Sequence, residues 1–83
     1  MSSRSAVAGD LVLVLRLLVD HPQQVQVSEV EGDGETLFEV RLAPDDQGKV
    51  IGRRGRTVGA LRSLLRARGQ REGKRYGLEI LSD

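Results

Sequence analysis

Two glycines, Gly52 and Gly55, stand three residues apart between two segments whose apolar residues have helical spacing. The first segment ends at Ile51 and the second begins near Arg56, so only two arginines lie between the glycines. Glycine adopts backbone angles closed to other residues and lets another backbone approach closely. The sequence therefore predicts two helices that meet at a tight, exposed and basic turn over residues 52–55.

The apolar pattern before this turn predicts one helix and a β-hairpin. Residues 6–19 have the i, i+4, i+7, i+8 spacing of a helix at Val7, Leu11, Val14, Leu15 and Leu18, although their Leu-Val alternation also fits a strand. Proline disfavours a helical residue before it, so residues 20–22 should end the helix. Strands are expected from residue 25 and over residues 36–43, joined by a glycine turn at residues 32–34.

The remaining pattern completes a predicted order α-β-β-α-α-β. Asp45 and Asp46 should open the short helix before Gly52, because carboxylates suit the positive end of a helix. The helix after the turn should end at Gly69, and a final strand should cover residues 74–81. The helix after the turn is expected to have a stripe at helical spacing, formed by Val58, Leu61, Leu64, Leu65 and Arg68. We expect one α+β domain over residues 1–83, with residues 1–5 disordered.

Charge is divided between the two halves of the chain. Residues 1–46 carry three arginines and nine acids, a net charge of −6, whereas residues 47–83 carry a net charge of +7. Ten cations fall within residues 49–75, where Glu72 is the one acid. Such polarity favours a surface for a polyanion.

Composition argues against several other classes of protein. The chain has no cysteine and one histidine, His21, so we predict no metal site, no cofactor and no enzyme. Thr57 and Ser63 have no base placed to activate them, and neither the P-loop nor the dinucleotide-binding fingerprint occurs. The apolar run at residues 11–19 is interrupted by Arg16 and is far shorter than the roughly 20 residues of a membrane span. A cytoplasmic protein without membrane insertion is expected.

The basic turn predicts contacts with a sugar–phosphate backbone. Amides at the start of the helix from Arg56 should point at a phosphate, and an arginine fork can pair two phosphate oxygens. The predicted contact residues are Lys49, Ile51, Gly52, Arg53, Arg54, Gly55, Arg56, Thr57, Arg62 and Arg66. Bases should lie in an apolar groove lined by Val50, Ile51 and Val58 rather than stack on Phe38 or Tyr76, which are expected to face inward.

The context of Gly52-Arg-Arg-Gly55 resembles the KH domain in its type II arrangement, whose GXXG loop clamps about four nucleotides of a single strand. The segments 20–22, 40–46, 48–57 and 73–75 together are similar to the bacterial KH-domain protein A (KhpA) family. The resemblance implies a three-stranded mixed sheet with the helices packed on one face. It also implies a cytoplasmic single-stranded RNA-binding protein, described as an RNA chaperone linked to cell-envelope homeostasis, that pairs with a larger KH-containing partner, KH-domain protein B.

Two other functions remain open from the sequence. A protein–protein interaction or dimerisation module could carry this basic half incidentally, and the first helix, apolar on more than one face, supports self-association. A preference for single-stranded DNA is also open, because charge and glycines cannot sense a 2′-hydroxyl.

Overall fold

The computed structural model describes residues 5–82, and its elements follow the predicted order. The helices and strands are α1 (Ala6–Leu18), β1 (Gln26–Gly32), β2 (Glu35–Arg41), α2 (Gln47–Ile51), α3 (Arg56–Glu72) and β3 (Arg75–Ile80). Short 3-10 turns precede β1, α2 and α3. The α+β class and the αββααβ order are confirmed, and the predicted strand ends differ by one or two residues.

Strand β2 lies at the centre of a three-stranded mixed sheet, antiparallel to β1 and parallel to β3. Alternate residues of β2, among them Phe38 and Val40, are buried, and Leu78 of β3 is buried beside Phe38. They pack with residues of all three helices in one core: Val7, Leu11, Leu15, Val50, Val58, Leu61 and Leu65. Within residues 5–82 all three helices contribute to this one core, which agrees with the predicted mixed sheet and its helices packed on one face.

Helix α1 settles the choice between helix and strand, but its buried face differs from the prediction. Ser5, which was expected to be disordered, caps the helix because its hydroxyl oxygen accepts a hydrogen bond from the Ala8 amide at 3.1 Å. The core takes Ala8 and Val12 in addition to Val7, Leu11 and Leu15, whereas the predicted Val14 and Leu18 are exposed. Residues 1–4, also predicted to be disordered, lie outside the described residues.

Asp45 and Asp46 precede α2 as predicted, but the Asp46 side chain makes no capping hydrogen bond to its own helix. Its carboxylate is fully buried and accepts backbone hydrogen bonds from Asp20 at 3.0 Å and from His21 at 2.9 Å. These amides lie just after α1, so Asp46 joins the end of α1 to the start of α2. Asp45 remains exposed. Because α2 has only five residues, this attachment and the turn after it fix its position.

Helix α3 passes through Gly69 and ends at Gly73, so the predicted stop was four residues early. Gly69 is buried because the backbone of Lys74 lies against its Cα, leaving no room for a side chain. Gly73 adopts a left-handed φ of 68°, and the Lys74 amide donates to the Gly69 carbonyl at 2.7 Å. Leu64, predicted to be in the apolar stripe, is 67% exposed.

A polar network joins α3 to its neighbours. The Glu72 carboxylate accepts hydrogen bonds from the Tyr76 hydroxyl and from Arg68 Nε, and both lower the pKa of Glu72 below its usual range. Arg68 also reaches Asp10 of α1 at 3.4 Å. The network therefore ties the C-terminal half of α3 to β3 and to α1.

Candidate nucleic-acid interface

The turn between α2 and α3 is built from three residues with positive φ. Gly52 ends α2 with φ 77° and ψ 170°, Arg54 has φ 57°, and Gly55 precedes α3 with φ 71°. The values at Gly52 belong to a region that is essentially restricted to glycine, and the other two are left-handed. The predicted tight turn at residues 52–55 is therefore present, and it lies outside both α-helices.

The two glycines have different surroundings. A Cβ on Gly52 would lie 2.9 Å from the backbone nitrogen of Thr57, closer than real Cβ contacts. A Cβ on Gly55 would meet only a methyl group of Val58, at 4.0 Å. Gly52 thus lets the turn fold back against the first residues of α3, and Thr57 is half-buried at this contact.

Three arginines surround the turn with unpaired positive charge. The side chains of Arg53, Arg54 and Arg56 are exposed, and within residues 5–82 none makes an ion pair or a side-chain hydrogen bond. Guanidinium groups left free in this way can each present a fork of N–H donors to phosphate oxygens.

The backbone amides of the turn are less available than predicted. The Gly52 amide donates to the Gly48 carbonyl at 2.8 Å, and the Gly55 amide donates to the Gly52 carbonyl at 3.1 Å. The Arg56 amide, expected to point at a phosphate, donates to the Arg53 carbonyl instead. These three amides are therefore not free for an anion, whereas the exposed arginine side chains of the turn are.

Lys49 and Ile51 of α2 stand beside the turn on the exposed surface. The ammonium group of Lys49 lies 3.2 Å from the Asp20 carboxylate, and both side chains are largely open to solvent. An exposed pair of this kind contributes at most about 1 kcal/mol, so a phosphate can replace the carboxylate at Lys49.

Arg62 and Arg66 follow one another along the α3 face that looks toward β3. Arg62 Nε donates to the Leu78 carbonyl at 3.2 Å, which is a backbone group on the free edge of the sheet. Arg66, one helical turn further on, is exposed and lies near Tyr76. The predicted contact set therefore divides into the turn itself and a line of arginines leading away from it.

The predicted apolar groove is wrong in two of its three residues. Val50 is 0% exposed and Val58 is 6% exposed, because both belong to the core, and only Ile51 reaches the surface. Phe38 and Tyr76 face inward as predicted, and their rings meet edge to face with centroids 5.4 Å apart. Phe38 is fully buried and offers no face for stacking, whereas Tyr76 is half-buried.

Sequence reasoning missed Asp46 as the residue that holds the base of α2 in place. Asp45 and Asp46 are neighbours of the same type after Pro44, and local pattern makes both look like helix caps. Only the approach of residues 20 and 21, which are distant in sequence, distinguishes them.

Comparison with known proteins finds a matching family and similar proteins in other organisms. The model of the family described as KhpA/KhpB, KH domain matches residues 10–80. The RNA-binding protein KhpA of Clostridium acetobutylicum is 44% identical over 71 residues, covering 86% of this chain and 95% of the relative. Its namesake in Aquifex aeolicus is 44% identical over 77 residues, covering 93% and 98% respectively. That of Caldanaerobacter subterraneus is 42% identical over 74 residues, covering 88% and 99%.

Proposed function

The chain belongs to the KhpA/KhpB family of KH domains, and from this we propose that it binds single-stranded RNA through the Gly52–Gly55 turn. The single observation that carries the proposal is the set of three exposed, unpaired guanidinium groups around a preformed turn, those of Arg53, Arg54 and Arg56. The relatives named above are RNA-binding proteins, which makes RNA the first polyanion to test.

In the proposed complex the sugar–phosphate backbone lies against the turn, and the arginines neutralise its phosphates. Gly52 and Gly55 keep side chains out of the way, Thr57 supports Gly52, and Ile51 gives a base an apolar contact. Lys49, Arg62 and Arg66 extend the basic surface on either side. Because phosphates are the main partners, binding should tolerate different sequences and weaken with salt.

A backbone grip of this kind suits an RNA chaperone or post-transcriptional regulator acting in the cytoplasm, and that is the role we propose. Transient, sequence-tolerant contacts let a protein hold a strand without fixing one RNA structure. No helix within the described residues 5–82 has the length and apolarity to cross a membrane.

Reversal of charge in the turn tests the proposal. Arg53→Asp with Arg54→Asp should weaken binding of a single-stranded RNA oligomer by at least about a hundredfold, measured by fluorescence anisotropy. The matched control is Arg16→Asp with Arg71→Asp, which changes the net charge equally at exposed positions outside the turn. Single-stranded DNA and duplex RNA of the same length, measured in parallel, test the preference for RNA.

Equal thermal melting of both double variants must accompany these measurements. Wild-type affinity in the Arg53/Arg54 variant would reject the turn as the binding site. An equal loss in the control would mean that net charge, not this surface, governs binding.

A second proposal concerns protein partners, because several large apolar side chains are exposed. We define the α1 patch as Leu13, Val14, Leu17 and Leu18 together with Leu64 of α3; Leu17 is 86% exposed. Val14 and Leu64 line the same groove between α1 and α3. We propose that this patch supports a homodimer or a complex with a larger KH-containing protein, the KH-domain protein B that the family resemblance implies.

A further inference from the structure

A basic pocket lies at the end of α3 opposite the turn. It is an open cavity of about 390 Å³, lined by Arg66, Gln70, Lys74, Arg75 and Tyr76. Arg56 and Gln70 are separated by about 21 Å along the helix, given the rise of about 1.5 Å per residue. The pocket is therefore a separate site from the turn, formed between the last turns of α3 and the first residues of β3.

One face of α3 connects the two sites. Positions 62, 66 and 70 are four residues apart, so their side chains follow one another along the helix. The hydrogen bond from Arg62 to the Leu78 carbonyl shows that this face looks onto the free edge of β3. Arg66 and Gln70 lie further along this face and line the pocket. A nucleic-acid strand that extends from the turn along this edge would therefore reach the pocket.

The charges in the pocket are free to act on a ligand. Within residues 5–82, the side chains of Arg66, Lys74 and Arg75 make no ion pair. Three acids lie nearby. Glu72 is already bonded to Tyr76 and Arg68, Glu35 is opposite Arg75 in the sheet register, and Glu31 lines the adjoining hollow.

Glu31 and Glu35 are exposed residues at the hairpin end of the sheet, and neither lines the pocket itself. The pocket lining consists of three cations, one amide and one phenol whose hydroxyl is occupied by Glu72. This lining has N–H donors and positive charge but no carboxylate, which is the chemistry that recognises phosphate.

We propose that this pocket is a second phosphate subsite, which binds the RNA strand downstream or upstream of the nucleotides held at the turn. The inference rests on the proposed function, and it lengthens the footprint beyond the roughly four nucleotides that a GXXG loop clamps. Lys74 and Arg75 are its new contact residues, and Arg66 links the subsite to the turn.

The test uses oligouridylates from about four to about twelve nucleotides, a range that spans one KH footprint and longer single-strand sites. The pocket variant is Lys74→Gln with Arg75→Gln, and the matched control is Arg16→Gln with Arg71→Gln, which removes two exposed cations outside the pocket. Affinities come from fluorescence anisotropy, and thermal melting confirms that each variant is folded.

Wild-type affinity should keep rising beyond four nucleotides. The pocket variant should bind the shortest oligomer as the wild type does and bind the longest on the order of tenfold more weakly, the loss expected for two charge-assisted contacts. Wild-type length dependence in the pocket variant, or an equal loss in the control, would overturn the subsite. Failure of all oligomers to bind even the wild-type protein would instead overturn the proposed function.

Discussion

At the scale of single residues, the two glycines of the turn have unequal roles. Gly52 has backbone angles reserved for glycine and no room for a Cβ beside Thr57. Gly55 has a left-handed backbone with open space around it. Non-glycine residues tolerate the left-handed region at a cost of about 1–2 kcal/mol, as Arg54 does in this same turn.

We therefore expect Gly52→Ala to lower the free energy of unfolding by more than about 3 kcal/mol, and Gly55→Ala by about 1–2 kcal/mol. Urea denaturation measures both values. Gly48→Ala is the control, because Gly48 lies in α2 with open space where a Cβ would stand, and it should be neutral or stabilising by up to about 1 kcal/mol. Equal losses at positions 52 and 55 would contradict the contact with Thr57.

Predictions for single residues were correct where the residue type has one main structural role. Gly52 and Gly55 were predictable because few residues other than glycine adopt such angles. Val50 and Val58 were misplaced in a surface groove because an apolar side chain beside a binding loop suits the core equally well. The side chain of Asp46 finds its partners more than twenty residues away, which no local pattern encodes.

At the scale of elements, α3 contains two glycines with opposite consequences. Gly59 has open space where a side chain would stand, whereas the backbone of Lys74 fills that space at Gly69. In a helix interior alanine is favoured over glycine by up to about 1 kcal/mol. Gly69 is retained there by the close return of the chain into β3.

Gly59→Ala should therefore stabilise the protein by up to about 1 kcal/mol, while Gly69→Ala should destabilise it by about 1–3 kcal/mol because the chain must move apart. Thermal and urea melting of the two variants give the comparison. A stabilised Gly69→Ala protein would show that the backbone at Lys74 can move away from Gly69 without loss of stability.

Element order could be read from the sequence because the apolar periods change clearly between helix and strand. The buried face of α1 could not, since the helix is apolar nearly all round and several stripes satisfy the same spacing. In the folded protein Ala8 and Val12 are buried in the core, whereas Val14 and Leu18 are exposed. The end of α3 was misjudged because Gly69 serves packing rather than helix termination.

At the scale of the whole molecule, the division of charge along the sequence becomes a division in space. The acids Glu29 and Glu31 lie on β1 at one edge of the sheet, whereas α3 and β3 at the other edge carry six of the ten cations of residues 47–83. Contacts such as Lys49 with Asp20 join the two halves without cancelling the difference. A polyanion is thus attracted to one side and repelled from the other.

The α1 patch makes self-association testable on the intact protein. Wild type should sediment as a dimer at micromolar concentration, because large apolar surfaces favour burial. Leu17→Glu should give a folded monomer, since a charge at the centre of the patch opposes its burial.

Val30→Glu serves as the control in sedimentation velocity, because Val30 is an exposed apolar residue on β1, away from the α1 patch. Its sedimentation should match that of the wild type. A monomeric wild type would exclude self-association through the α1 patch, and a Leu17→Glu protein that remains dimeric would exclude the patch as the dimer contact.

The hydrogen bond between Arg62 and the Leu78 carbonyl also affects the tendency of the protein to aggregate at high concentration. The outer edge of a sheet offers unpaired backbone groups on which a foreign strand can add, and such addition begins aggregation. Here a guanidinium group occupies one of those acceptors on β3, and the opposite edge strand carries Glu29 and Glu31. Charged side chains therefore lie at both edges of this small sheet, and they disfavour pairing of its edge strands with strands of neighbouring molecules.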